Sequence, residues 1–219
     1  MIKKVESISL VPKKNPYYRV TTTLLNAFTN MWGCEKYVVE SEDDVISYED
    51  KVALKMQEAR QEFINMIYRI PIPDNIYMQR GREFEDKVCK GLDEEFSPIV
   101  ENGAFQVLAT KKVKVAGEPI LLYGILDVLK AARIIDIKRV VRYKFPKYNT
   151  SNQHSMYLEL VPEALDFTYI IRDDAGNSHY ENYVRENCGD IYSVISDMIS
   201  WLKANDLWEV FTQKYVMYV

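Results

Sequence analysis

The chain is short of the residues that the commonest structural and catalytic devices need. It has three cysteines in 219 residues, Cys34, Cys89 and Cys188. With no CxxC spacing and no cysteine–histidine pair, they argue against a disulfide framework or a zinc knuckle and suit a reducing compartment. The two histidines, His154 and His179, have no partner at metal-ligand spacing. No apolar run approaches the roughly 18 to 20 residues that span a bilayer, and the opening Met1 to Val5 is basic but lacks the apolar stretch of a signal peptide. Net positive charge is lacking too. A formal charge of −4 gives no general attraction to nucleic acid, so any such binding must use a local basic surface. GxSxG, P-loop, GxGxxG and HExxH patterns are absent, which removes most of the weight from serine nucleophiles, nucleotide hydrolysis and dinucleotide chemistry. There is no repeat and no low-complexity segment. These absences lead to the expectation of a soluble, cytoplasmic protein without a membrane partner.

What is present is ordinary globular composition, 47% hydrophobic and 27% charged, long enough for one domain with a full core. Thr21, Thr22 and Thr23 precede Leu24 to Phe28, a helix start capped by a hydroxyl. From about Ser47 to Arg69 the spacing is helical, with Val52, Leu54, Met56, Phe63, Ile64 and Ile67 marking an apolar side, and Pro71 and Pro73 end it. A second helix is predicted from about Met78 to Phe96. Strands follow near Phe105–Val115, Ile120–Leu129 and Arg133–Val140, then a short helix through Tyr157. Leu165–Arg172 and His179–Arg185 read as a hairpin around Asp174 to Asn177. Ile191–Ala204 is a helix, with further turns around Trp208–Tyr215. The order predicts a mixed α/β core with an N-terminal helical lobe. Residues 1–75 form that lobe within the same domain, and 76–219 form the core with its C-terminal helices. Pro71-Ile72-Pro73 is the break able to act as a hinge.

The most informative stretch is Gly124-Ile125-Leu126-Asp127 followed by Ile135-Asp136-Ile137-Lys138. Its aliphatic and β-branched neighbours predict buried strands. A reversal at Ala131-Ala132 sets Asp127 across from Asp136, where like charges repel unless a cation lies between them. That turn lacks the Gly or Asn a tight hairpin prefers, so a register shift of one residue stays open. Asp136 and Lys138 are two apart and share a face, with Ile135 and Ile137 on the other. Lys138 could hold a phosphate oxygen and orient, or help deprotonate, a water; a simple ion pair with Asp136 is an equally available reading. On the helix from Met78, Glu85 falls within the arc of Gly81, Phe84, Val88, Cys89, Leu92 and Phe96, while Glu83, Asp86, Asp93 and Glu94 lie opposite. A carboxylate on an apolar side must be protonated, paired or metal-bound; Arg82 and Arg133 are the candidate partners for an ordinary salt bridge. All-oxygen ligation by Glu85, Asp127 and Asp136 suits one or two Mg²⁺ or Mn²⁺ ions rather than zinc. Gln153 and Tyr157 are helix neighbours, either a phosphodiester-contacting pair or a solvated Gln beside a half-buried Tyr. Arg139, Arg142, Tyr143, Lys144, Lys147 and Tyr148 form a basic, aromatic stretch that would set cations beside the metal, or a solvated loop.

Taken in order, Gly81-Arg82-Glu83-Phe84-Glu85, Gly124 to Asp127, Asp136-Ile137-Lys138 and Gln153 to Tyr157 resemble the PD-(D/E)XK nuclease superfamily in its RecB-like exonuclease branch, of phage or CRISPR-adaptation type. Thr21 to Phe28 with Cys34 is similar to that branch's first helix. The resemblance covers about residues 18–172 and implies a restriction-endonuclease-like core flanked by helices. It implies that Glu85, Asp127, Asp136 and the carbonyl of Ile137 bind metal and that Lys138 positions the water and the scissile phosphate. Gln153 and Tyr157, with Arg139, Arg142 and Lys144, would contact DNA. Asp136 stands where many members have Glu, the extra histidine ligand of the early helix is missing, and three cysteines cannot build the iron–sulfur cluster of some relatives. The implied activity is divalent-metal-dependent DNA hydrolysis at an end or single strand, exonucleolytic, in phage- or prophage-type recombination or repair within a bacterial or phage-infected cell, beside a recombinase or single-strand-binding protein. The alternative is a catalytically inactive nuclease-fold protein that binds DNA or inhibits.

Overall fold

The computed structural model describes residues 15–38 and 46–219; the basic start at Met1–Val5 lies outside them. Seven strands and seven helices follow in chain order: β1 (Pro16–Val20), α1 (Thr22–Gly33), α2 (Tyr48–Ile67), α3 (Ile76–Cys89), α4 (Ser97–Val100), β2 (Ala104–Val115), β3 (Glu118–Lys130), β4 (Arg133–Val140), α5 (Asn152–Leu160), β5 (Asp166–Asp173), β6 (Ser178–Val184), α6 (Ile191–Ala204), α7 (Trp208–Tyr215) and β7 (Val216–Tyr218). This is a mixed α/β fold, a seven-stranded sheet flanked by helices. Among the described residues no helix is long and apolar enough to cross a membrane.

Local chemistry accounts for most element ends. Thr21 Oγ1 accepts from the Leu24 amide, Ser47 caps α2 through Asp50, and Asn75 caps α3 through Tyr77 and Met78. Two predicted helices need correction. The buried stripe of α2 is Ala59, Phe63 and Ile67, whereas Leu54 and Met56 are exposed; only the C-terminal half of α2 packs inward. The second helix stops at Cys89, not Phe96, because Gly91 adopts φ +78 and turns the chain out of the helix. The arc drawn through residue 96 therefore fails beyond that point. Leu92 is 65% exposed, and Asp93, expected on the solvated side, is buried. There it accepts from the Phe96 and Glu95 amides and pairs with Arg172 at 3.2 Å.

Within the described residues, the N-terminal segment expected to be a helical lobe also carries a strand, just before α1. β1 runs parallel to β3 (Tyr18 to Val20 beside Ile120 to Leu122) and antiparallel to β7. β2 lies antiparallel along nearly the whole of β3. A strand has two edges, so β1 and β4 must share the other one: β1 beside Ile120–Leu122 and β4 beside Val128–Lys130. Tyr123 to Asp127 are left without a strand on that edge. The far side of the sheet continues from β4 to parallel β5 and antiparallel β6.

Each sheet face carries its own core. On one face, Leu24, Leu25 and Phe28 of α1, Met156 and Tyr157 of α5, Ile195 to Leu202 of α6 and Phe211 of α7 pack on Ile120, Leu122, Leu126, Ile134 and Phe167. On the other, Phe84 and Val88 of α3 with Phe96 and Val100 pack on Val128, Ile135, Ile137 and Ile170. β3 changes facing along its length. Leu126 belongs to the first core and Val128 to the second, although strict alternation would keep residues two apart together. The break falls at Asp127, and its opposite number on β2, Gln106, is skipped by the ladder and has φ +51.

Candidate active site

The gap between β1 and β4 is filled from α5. The Tyr157 hydroxyl donates to the Ile125 carbonyl at 2.9 Å, and its ring lies against Gly124 so closely that a Cβ there would meet Tyr157 Cε1 at 2.6 Å and Leu160 Cδ1 at 2.9 Å. Glycine is therefore required three residues before Asp127 by packing. The hairpin register is the expected one. Val128 pairs with Ile135, and continuing the ladder sets Asp127 opposite Asp136. The turn is made without glycine by Ala131 at φ +51. At the next rung a side chain replaces the backbone, because the Ile137 amide donates to Asp127 Oδ2 at 2.9 Å.

Around this point four predicted residues converge. Asp136 is 1% exposed; Gln153 Nε2 donates to its Oδ1 at 2.5 Å, and Lys138 Nζ lies 2.5 Å from its Oδ2. Both oxygens of this buried carboxylate are thus held, one by an amide and one by an ammonium. Glu85 enters from α3, half-buried, and accepts from Gln106 Nε2 at 2.5 Å. The salt bridges that would have made Glu85 ordinary are used elsewhere: Arg82 pairs with Asp74, and Arg133 with Asp166. Gln106 carried no sequence signal. Its role arises because the left-handed residue opposite Asp127 turns its amide toward α3.

The electrostatics are those of acids crowded out of water. Burial raises the Asp136 carboxyl above the usual carboxylate range, Lys138 opposes that, and Asp127 adds to it. Burial likewise raises Asp127, with Lys138 and the Ile137 amide only partly offsetting it. Burial and then Asp127 raise Glu85. For Lys138, burial acts downward but Asp136 and Asp127 outweigh it, so its pKa is raised and the ammonium stays protonated. An ammonium held charged in this way can donate to an oxyanion.

The remaining predicted residues divide. Gln153 holds Asp136, and the hydroxyl of Tyr157, which is 5% exposed, is committed to Ile125. Arg139 faces away from Lys138, pairing with Asp174 at 3.1 Å over the Phe84 ring. Arg142 and Lys144 are exposed on the loop after β4. Lys138, Gln153 and Tyr157 also line a cleft of about 820 Å³, walled by Thr22, Thr23, Asn26 and Asn30 of α1 and by Ile70 to Pro73.

Among the described residues, no three acidic, histidine or cysteine side chains stand ready as a metal-holding group. In kind, however, the donors fit a hard divalent cation: carboxylates of Asp136, Asp127 and Glu85 that repel one another.

No family model matches the chain, and no curated relative does. Solved structures similar to it include SSO0001, at 13% identity over 84% of this chain and 76% of that one with a TM-score of 0.46. They also include the alkaline exonuclease LHK-Exo from Laribacter hongkongensis, at 14% identity over 90% and 91% with a TM-score of 0.45. Likeness at this level carries no chemistry across.

Proposed function

We propose that this chain is a divalent-metal-dependent deoxyribonuclease of the PD-(D/E)XK type, acting as an exonuclease on a DNA end or single strand in phage- or prophage-type recombination or repair. The observation that carries the reading is the meeting of Glu85 from α3, Asp127 from β3 and Asp136 and Lys138 from β4 at the gap in the sheet, with Gln153 fixed on Asp136. A structural role alone leaves unexplained why three carboxylates with raised pKa values share one lysine.

In this reading Asp136, Asp127, Glu85 and the Ile137 carbonyl hold Mg²⁺ or Mn²⁺. When bound, the ion would acidify a water and neutralise charge on the phosphoryl oxygens. Gln153 fixes the rotamer of Asp136, and the Ile137 amide fixes Asp127. Lys138, kept cationic by both aspartates, offers its ammonium to a non-bridging phosphate oxygen and orients the nucleophilic water. The cleft beneath α1 and the Ile70–Pro73 segment, both within the predicted lobe of residues 1–75, admits the strand to this point. Arg139, Arg142 and Lys144 supply cations nearby, and a recombinase or single-strand-binding protein is the partner class to try first.

End-labelled single- and double-stranded DNA incubated with Mg²⁺, Mn²⁺ or EDTA tests the proposal. Degradation is expected with either ion and not with EDTA. Lys138→Ala should lower the rate at least a hundredfold, the loss on removing one transition-state donor, and Asp136→Asn, which removes an anionic metal ligand, should lower it at least as far, while circular dichroism stays unchanged. Cleavage that survives both substitutions would reject the site. DNA binding without cleavage under every ion condition would favour the inactive, DNA-binding alternative.

A further inference from the structure

We infer that a second groove, at the end of β4, binds the phosphodiester backbone of one nucleic-acid strand adjoining the carboxylate–lysine site; this rests on the nuclease reading above. The groove is about 420 Å³ and is lined by Tyr77, Arg80, Arg139, Arg142, Lys147 and Asp174 together with Val140 and Val141. Four cations face a single carboxylate, in a chain whose formal charge is −4. Asp174 is already shared, taking two bonds from Arg80 at 2.9 and 3.1 Å and one from Arg139 at 3.1 Å. Arg142 and Lys147 are exposed, and among the described residues neither has a carboxylate partner. Like charges gathered this closely favour an anion between them, and the guanidinium forks match phosphate oxygens.

The cations are held from a prepared frame. Arg139 lies with its guanidinium 6.0 Å from the Phe84 ring centre. The loop carrying Lys147 is tethered to Glu181 on β6, a carboxylate 2% exposed that accepts from the Lys147 amide at 2.7 Å, the Tyr148 amide at 3.1 Å, the Tyr143 hydroxyl at 2.9 Å and the Tyr183 hydroxyl at 2.5 Å. Tyr77, 62% exposed on the opposite wall, offers a ring face on which a base can stack.

The groove shares its two supporting elements with the proposed site. Arg139 directly follows Lys138 on β4, its side chain on the opposite face of the strand, and Arg80 precedes Glu85 on α3 by five residues, about 7.5 Å along the helix axis. A strand with its scissile phosphate beside Lys138 would have to pass around the end of β4 to lay further phosphates along Arg80, Arg139 and Lys147. The volume suits one backbone and not a duplex.

The test is the salt dependence of binding of a fluorescein-labelled oligothymidylate, followed by anisotropy in EDTA so that no cleavage occurs. Each single-strand phosphate contact adds about 0.7 to the slope of log K against log salt. Arg80→Ala/Lys147→Ala should lower that slope by about 1.4, and Arg142→Ala alone, on an exposed loop, by about 0.7. Slopes equal to wild type in both variants, with wild-type melting curves, would overturn the groove and leave the nuclease reading standing. A wild-type chain that neither binds nor cuts DNA would overturn the reading beneath it. Displacement of the oligothymidylate by polyglutamate of equal charge, at equal concentration, would also overturn the inference, since the groove would then be selecting acidity and not phosphodiesters.

Discussion

Single residues here are constrained by neighbours that the local sequence does not reveal. Gly124 is the clearest case: nothing in Tyr123-Gly124-Ile125 shows that the Tyr157 ring will occupy the space of a side chain. Because Tyr157 is anchored by its bond to Ile125, it cannot swing aside cheaply. Gly124→Ala should lower the unfolding free energy by about 1–3 kcal/mol, the usual range for overpacking, with urea melts as the measurement. An unchanged midpoint would mean the ring is free to move. His154 makes a second, independent point. It is 2% exposed, stacks on Tyr183 at 3.9 Å, and its Nδ1 has no partner; burial drives its pKa down to about 4. A base with a depressed folded pKa takes up its proton more readily when unfolded, so His154 contributes stability that grows with pH between about 4 and 6.5. The raised carboxyls of Asp136, Asp127 and Glu85 act with the opposite sign over the same window, so the His154 part is read as a difference between two chains. His154→Phe, which keeps the ring stack and cannot titrate, should lose melting temperature relative to wild type as pH rises from about 4 to 6.5; a difference that stays constant with pH would mean that His154 does not titrate there.

At the scale of elements, legibility followed the range of the determining interaction. Strand β4 and helices α6 and α7 coincide with their expected bounds because their periodicity and punctuation are local. The Asp127–Asp136 register was equally readable, since a two-residue turn fixes it even with Ala131 left-handed. β1 was missed although Pro16 to Val20 holds two tyrosines and a valine. A five-residue strand is a weak signal beside the strong helix that follows, and its reason to exist is an open edge of β3 about a hundred residues later. β7, three residues long, had no signal apart from β1. The end of α3 was misplaced because Phe96, though buried, belongs to a separate turn organised by Asp93. That these residues could meet was visible in four short motifs, and the structure brings Asp127, Asp136, Lys138 and Gln153 together. Its architecture, the missing strand partner between β1 and β4 and the change of facing at Asp127, depends on three strands meeting and could not be read from any one of them.

For the whole molecule, the consequence is that the candidate site joins two cores. Glu85 comes from the helix packed on one sheet face and Gln153 from a helix on the other, and the two sides meet only where β3 and β4 separate. Such a site is reachable from the α1 side through the 820 Å³ cleft, whose walls carry hydroxyls, amides and the exposed Ile70 and Ile72 but few charges. If the strand enters there, obstructing the cleft should hinder substrate without touching the carboxylates. Thr23 is exposed in the first turn of α1 and lines the cleft, so a larger side chain there should change stability by no more than about 0.5 kcal/mol, as is usual for surface positions. Thr23→Trp is expected to reduce kcat/KM for DNA by at least tenfold, chiefly through KM, with its melting temperature close to wild type. An indole that leaves KM unchanged would show that the strand reaches Lys138 from the β4 groove alone, and would assign the cleft under α1 no part in substrate entry.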